Sequence, residues 1–215
     1  MKRISTIDLK ALDKVPRLNL VNSVTGYKSA NLIGSISKEG KPNLAIFSSV
    51  THLGSDPALL GFIMRPATVP RDTYKNIKET EYFTVNHITK NLIQRAHQTS
   101  ASYDDTVSEF NETQIEPEYL NSIKQPFVKE SPVRLLCKYV NEYLIEENGC
   151  IHIIASIEEI YFEEKLLNKD YWLQLEKGNI VAINGLDGYC LPKLIDRFEY
   201  ARPNIMVKSM LNNGS

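Results

Sequence analysis

NLAIFSSVTHLGSDPALLGFIMRPATVPRDTYKNIKETEYFTVN, Asn43 to Asn86, carries the decisive pattern of the chain. NLAIFSSV (Asn43 to Val50) and ALLGFIM (Ala58 to Met64) are short apolar runs, with Gly54-Ser55-Asp56-Pro57 between them and Pro66 behind. Runs this short and this closely flanked by breakers predict buried strands rather than helices. Tyr74, Ile77 and Lys78 then recur at helical spacing, before EYFTVNH returns to alternation with Tyr82, Thr84 and Asn86 on one face. The order is strand, turn, short helix, strand.

Upstream, ANLIGSI (Ala30 to Ile36) is separated from the first of these strands by SKEGKP, whose Gly40 and Pro42 mark a hairpin turn. Ahead of it lies a polar N-terminal arm. Downstream, NLIQRAHQ reads as helical, with Leu92, Ile93 and Ala96 on one side, and the polar TSASYDDTVSEFNETQIEP that follows reads as irregular. VRLLCKYVNEYLI (Val133 to Ile145) and CIHIIASIEEIYF (Cys150 to Phe162) are long strand candidates joined by Glu146-Glu147-Asn148-Gly149, where Asn-Gly signals a hairpin. Ile151, Ile153, Ala155 and Ile157 alternate against His152, Ser156 and Glu158, while Ile154 interrupts the polar face, so both faces are expected to be partly covered. SMLNNGS at the end is expected to fray. There is no internal repeat or low-complexity block. Antiparallel hairpins with few helices predict a mainly-β barrel with small helices at its edge.

A chain of 215 residues, 42% hydrophobic, can bury a full core and is most simply one domain. Lys+Arg 25 against Asp+Glu 26 leaves no general basic field for nucleic acid, so any anion site must be local. MKRISTIDLKALDKVP is too polar for a secretory leader and no apolar run approaches a membrane span, which predicts a soluble cytoplasmic protein. Cys137, Cys150 and Cys190 are widely spaced without CxxC and are expected to be buried, inert thiols. His52, His87, His97 and His152 lack ligand spacing, and no metal is expected. The acidic doublets Asp104-Asp105, Glu146-Glu147, Glu158-Glu159 and Glu163-Glu164 sit in polar stretches and read as solvated surface. Neither a dinucleotide-binding GxGxxG, a P-loop nor a GxSxG elbow is present.

RPATVPRDTYKNI, Arg65 to Ile77, remains to be explained. Its prolines serve a turn, but its arginines do not. Asp72 or Thr73 is the expected N-cap, and an exposed helix start offers unpaired N–H groups that suit an anion. FSSVT (Phe47 to Thr51) at a strand end, together with Arg71-Asp72-Thr73, has the groups to hold a phosphate by charge-assisted bonds. By spacing alone, the same residues also describe an ordinary turn with an N-cap and a solvent-facing arginine.

The stretch from Asn43 to Asn86 resembles the signature half of the flavin reductase-like family of FMN-binding split β-barrels. The shared features run in order: an Asn before the strand, serines after it, an Asp-Pro, a basic-Asp-Thr, an Asn-Ile, and an aromatic-X-Val-Asn. The similarity continues more weakly through SASYDDTVSEF and the two late strands with Cys137. GLDGYCLPKLIDRFEYARP resembles the C-terminal segment of one branch of the family, so the match spans roughly Val21 to Pro203. The resemblance implies a Greek-key antiparallel split barrel over a single domain, residues 1–215, with core about 21–203 and both termini peripheral. Two positions depart from the pattern: Arg71 stands where the family often has Lys, and Ala58 replaces the second proline of an Asp-Pro-Pro.

Carried over residue by residue, the resemblance implies that Phe47, Ser48, Ser49 and Val50 meet the flavin and that Arg71 and Thr73 grip its phosphate. Asn31 and Asn43 match positions lining the ring or ribityl side, with Arg65, Asn86 and Ser100 as further contacts. The implied activity is NAD(P)H-dependent flavin reduction, hydride passing from NADH or NADPH to N5 of FMN. No catalytic side chain is needed, since backbone N–H groups near Ser49 can hold the charge gathered by the reduced ring. A homodimer with FMN at its interface and a monooxygenase partner belong to the same expectation. The alternative is a non-catalytic FMN-binding redox carrier or sensor. Tyr103 and Tyr189 are candidates to stack a nicotinamide, although packing explains them as well, and Cys190 reads as structural.

Overall fold

The computed structural model describes residues 1–66, 68–104 and 106–211. The polar N-terminal arm folds into two helices, α1 (Thr6–Ala11) and α2 (Lys14–Val24). α1 opens on a capping box in which Ser5 and Asp8 bond each other's backbone N–H groups. No residue of either helix is buried. Five strands follow: β1 (Lys28–Ser29), β2 (Asn31–Ile36), β3 (Pro42–Phe47), β4 (Thr51–Ser55) and β5 (Ala58–Met64). Next come α3 (Asp72–Thr80), β6 (Tyr82–His87), α4 (Ile93–Gln98), α5 (Glu109–Glu112), β7 (Pro117–Glu118) and β8 (Phe127–Val128). The long hairpin β9 (Val133–Ile145) and β10 (Cys150–Phe162) precedes two short strands, β11 (Ala182–Asn184) and β12 (Gly188–Cys190).

The main sheet is antiparallel in the order β3-β2-β6-β9-β10-β5-β4. Its two edge strands, β3 and β4, are consecutive in the chain and joined only by residues 48–50. A flat sheet of that width would hold the edges about 29 Å apart, at about 4.8 Å per strand spacing. A three-residue connection spans at most about 14 Å from Phe47 to Thr51. The sheet therefore has to curl into a barrel. Ser49 fastens the seam: its hydroxyl accepts from the Ile63 N–H (3.0 Å) and donates to the Ile63 carbonyl (3.4 Å).

Strand parity sorts the side chains. Ile33, Phe62, Phe83, Val85, Cys137, Ile153 and Ala155 point into the barrel, where Phe62 meets Phe47 and Phe83 edge to face. Leu32 and Leu44 face outward into a second cluster with Leu92, Phe110, Val128 and Ile183, covered by α4, α5, β8 and β11. α3 closes one end. Its Thr73, Asn76 and Ile77 recur at i, i+3 and i+4 and are all buried, which is why this short segment docks as a helix. Tyr74 donates to Glu142 (2.9 Å), and Lys78 bonds the Tyr139 hydroxyl (2.7 Å) and pairs with Glu142 (3.3 Å), tying α3 to β9.

The barrel, its hairpins and the α3 helix agree with the sequence reading. β4 was not anticipated: Thr51 and Leu53 are exposed, and a register shift between His52 and Gly54 disrupts the alternation. The small β1-β11-β12 sheet was also missed, its strands being only two or three residues long. Within SMLNNGS, Ser209 pairs with Phe198 and the Met210 N–H bonds the Arg197 carbonyl; residues 212–215 lie outside the described residues. Among the described residues, no helix is long and apolar enough to cross a membrane. Cys137 is buried, its thiol pKa pushed far up by loss of water, whereas Cys150 and Cys190 are only half-buried, so the expectation of buried thiols fits Cys137 alone.

Asn86 stitches the two layers together. It donates to the Leu32 carbonyl (3.1 Å) and the Thr84 hydroxyl (2.9 Å), and accepts from the Val128 N–H (2.9 Å). Asn86→Leu orphans that buried N–H and is expected to cost about 2–4 kcal/mol. Urea unfolding checks this, and a loss below about 1 kcal/mol would show that the network is dispensable.

Candidate functional site

The α3 end of the barrel is lined by polar groups that satisfy one another. Ser35 Oγ accepts from Asn76 Nδ2 (3.1 Å) and Asn43 Nδ2 (3.3 Å), and Asn43 Nδ2 also donates to Thr73 Oγ1 (3.0 Å). Asn43 and Thr73 are each 6% exposed. Their side chains are thus turned into the protein and hold α3 in place. The cap falls one residue before Asp72, the earlier of the two expected positions: Arg71 occupies it in extended conformation, and no side chain caps the helix. Asp72 already supplies a carboxylate to the first turn, so an anion here would depend on the arginine more than on the helix dipole.

Arg71 offers what an anion needs. Its Nε is buried without a hydrogen-bond partner, and among the described residues neither Arg71 nor the exposed Arg65 forms an ion pair. A buried, unpartnered guanidinium N–H is costly unless a ligand occupies it. Glu109, nearby, accepts from the Leu44 N–H (3.0 Å) on the β3 edge, and burial raises its pKa.

The seam supplies the second part. Ser48 is half-buried and its side chain makes no hydrogen bond among the described residues, while Ser49 is committed to Ile63 and the Val50 carbonyl accepts from Ser29 Oγ (2.7 Å). The 48–50 connection is therefore pinned at two consecutive residues. Phe47 and Val50 turn inward to the barrel cluster, so only their backbone is available on the outer side.

The remaining expected residues scatter. Asn86 spends its amide on the network described above. Ser100 is exposed and donates to the His97 carbonyl (2.7 Å) at the end of α4. Tyr103 bonds Gln98, and Tyr189 bonds His97 Nδ1 (3.0 Å) with its ring edge-on, burial pushing its hydroxyl pKa up to about 12. Both tyrosines are thus fastened to the same end of α4. Asn31 lies at the opposite end of β2 from Ser35, inside the barrel mouth, with neither amide atom partnered. The mouth is a cavity of about 240 Å³ lined by Asn31, His87, Val50, Leu60, Leu135 and Ile157 among others. A larger open cleft of about 610 Å³ lies over the β2–β3 turn and contains none of these site residues.

His87, read in the sequence only as a histidine without ligand spacing, lines the mouth, a place that parity could have given it. If Tyr82, Thr84 and Asn86 share one face, Phe83, Val85 and His87 share the other, and β6 pairs His87 with Asn31.

These features define a curled antiparallel barrel whose two edges meet at a seam beside an uncapped helix start and, among the described residues, an arginine in no ion pair. The structure is similar to a split-barrel protein of Shewanella frigidimarina assigned to the flavin reductases, with 40% identity and a TM-score of 0.90 over 94% of this chain and 100% of that one. At 21% identity the same fold recurs in the 2-nitrobenzoate 2-nitroreductase of Pseudomonas fluorescens, with a TM-score of 0.77 over 95% of this chain and 98% of the other. It recurs also in nitrilotriacetate monooxygenase component B of Bacillus cereus, with a TM-score of 0.77 over 93% and 98%. An uncharacterized protein of Aquifex aeolicus is 27% identical over 139 residues, 62% of this chain and 71% of that one. The flavin reductase like domain model matches residues 28–177, and the chain belongs to that family.

Loss of water pushes the His87 pKa down to about 4. The unfolded state, near 6.5, then binds the extra proton between these values. The group's stability contribution is present above about pH 6.5 and falls as pH drops toward 4, by up to about 3 kcal/mol. His87→Leu is expected to flatten that slope, as read by urea midpoints at pH 7 and 4.5. An unchanged slope would place the acid sensitivity elsewhere.

Proposed function

We propose that the protein is an FMN-dependent oxidoreductase, an NAD(P)H:flavin reductase, which holds the cofactor along the seam between β3 and β5. The observation that carries this reading is the Arg71 guanidinium, buried at Nε without a partner at the uncapped start of α3, in a chain of the flavin reductase-like family. When bound, FMN supplies a two-electron carrier between a reduced nicotinamide and an acceptor.

The chain's own part is binding and orientation. Arg71, with Arg65 beside the end of β5, would take the phosphate, its planar fork suiting two oxygens at once. Thr73 acts from beneath, its hydroxyl locked to Asn43 so that the helix start keeps one position. Ser48 offers a free hydroxyl on the seam. The N–H groups of residues 48–50 sit in a connection held by Ser49 and Val50, which makes them fixed donors for negative charge gathering on a bound ring. No proton-transferring side chain is required for that role.

We further propose a homodimer. Support comes from apolar side chains without cover in one copy: Val15, Leu18, Val21 and Val24 along α2, and Tyr143 and Leu144 on β9, are all exposed. Helices as short as α1 and α2 are marginal in water without packing. Light scattering at micromolar protein is expected to give twice the mass of one chain, and a single-chain mass would remove this part of the proposal.

The cofactor reading is tested by titrating the protein with FMN and with riboflavin, which lacks the phosphate. Arg71→Ala is expected to weaken FMN by about tenfold or more, a lost charge-assisted bond, with riboflavin affinity and melting temperature unchanged. Equal effects on both ligands would dismiss Arg71 as the phosphate contact. Oxidation of NADH or NADPH with added FMN tests turnover, and silence with both nucleotides across several acceptors would leave a binding protein instead.

A further inference from the structure

Asn31 is fully buried, and both its amide nitrogen and its amide oxygen lack hydrogen-bond partners. One unsatisfied buried group is expensive and two on the same side chain are more so, because each forfeits its water without compensation. At the α3 end of the same strand, by contrast, Ser35 is fully engaged. The difference lies in what each end faces. Ser35 faces the underside of α3, whereas Asn31 faces the cavity at the barrel mouth.

The lining of that cavity restricts what could enter. Val50, Leu59, Leu60, Val85, Leu135 and Ile157 give apolar walls. His52 and His87 add imidazoles and Ser29 and Thr51 add hydroxyls at its edge, and no carboxylate, lysine or arginine lines the cavity. A charged guest would lose its water with nothing to neutralise it. The volume is about 240 Å³, and an apolar cavity of about 150 Å³ already accepts benzene, so a single substituted ring fits. The mouth is also separate from the anion end. Asn31 and Ser35 are about 13 Å apart along β2 at a strand rise of about 3.3 Å per residue. Ile33, Phe62 and Val85 fill the barrel between them.

We propose that the barrel mouth is a second binding pocket, for a small uncharged molecule that presents an N–H and a C=O side by side, as a carboxamide, lactam or imide does. The Asn31 amide pairs with such a group through two bonds at once, satisfying both of its orphaned atoms, while the apolar walls cover the ring. Segment 48–50 forms part of this wall through Val50 and part of the seam through Ser48, so the pocket lies directly behind the proposed flavin site.

Calorimetric titration with benzamide, benzoate and toluene tests the pocket, since the three share a ring and differ in the polar pair and the charge. Benzamide is expected to bind saturably below about 10 mM, with benzoate and toluene weaker by about tenfold or more. Asn31→Leu is expected to abolish the preference for benzamide while melting at the same or a higher temperature, since it removes unsatisfied polar atoms from an apolar site. Saturating FMN is expected to leave benzamide binding in place. No benzamide binding, or equal binding of all three probes, would mean that the mouth holds only solvent. Displacement of benzamide by FMN, with weaker FMN binding in Asn31→Leu, would assign Asn31 to the pyrimidine edge of the flavin and overturn a separate pocket. A protein that binds benzamide but no FMN would retain the pocket and lose the cofactor reading.

Discussion

Three residues, 48–50, join the opposite edges of a seven-stranded sheet, and most of the architecture follows from that short tether. Curling the sheet puts one parity of every strand into an interior, gives that interior two ends, and brings the end of β3 against β5. α3 occupies one end because the turn after β5 delivers an amphipathic helix there. Among the described residues, none that lines the cavity at the other end belongs to a helix. The same tether thus produces the seam, the helix start beside it and the mouth, three places that a flat sheet of identical sequence would not possess.

Polar groups in the interior show which end is structural. At the α3 end, Ser35, Asn43, Thr73 and Asn76 bond one another, and such a network fixes a helix in one register because each member is satisfied only there. Asn31 and Arg71 lie outside any such network, one at the mouth and one at the outer rim. Stability alone gives no reason to keep either in that state, since a buried polar atom without a partner weakens the fold. Natural sequences tend to break local rules at binding sites, and these two residues break them at different places.

Much of this was legible in the sequence. Breaker-flanked apolar runs gave β5 to the residue and β2 to within one, and Asn-Gly located the turn between β9 and β10, but the run to Val50 overshot β3, which ends at Phe47. Arg71 stood out because a turn needs no arginine. What could not be read was orientation at helix and strand ends. Thr73 looks like a cap or a phosphate ligand, yet once the helix starts at Asp72 its side chain turns inward to Asn43. Asn86 shares the aromatic-X-Val-Asn pattern with the family, but its partners, Leu32 and Val128, come from strands far away in sequence. β4 was hidden because an exposed edge strand with a bulge has no reason to alternate. Asn31 could be assigned to the interior by parity, but its lack of partners depends on which side chains the other strands bring to the mouth, which is a property of the whole barrel.

The connection 48–50 also lies between the two proposed sites. Its outer face offers Ser48 and backbone N–H groups, and its inner face offers Val50 to the cavity. Ser49 and Ser29 hold it by side-chain bonds to backbone, each worth about 1 kcal/mol, so the segment is stiff on the scale of a loop but much less so than the sheet on either side. Coupling between the two sites would need two arrangements of this segment that the ligands distinguish, and the pair of hydroxyl anchors is where such arrangements would differ. The tether that closes the barrel is therefore also the shortest physical path between its two candidate sites.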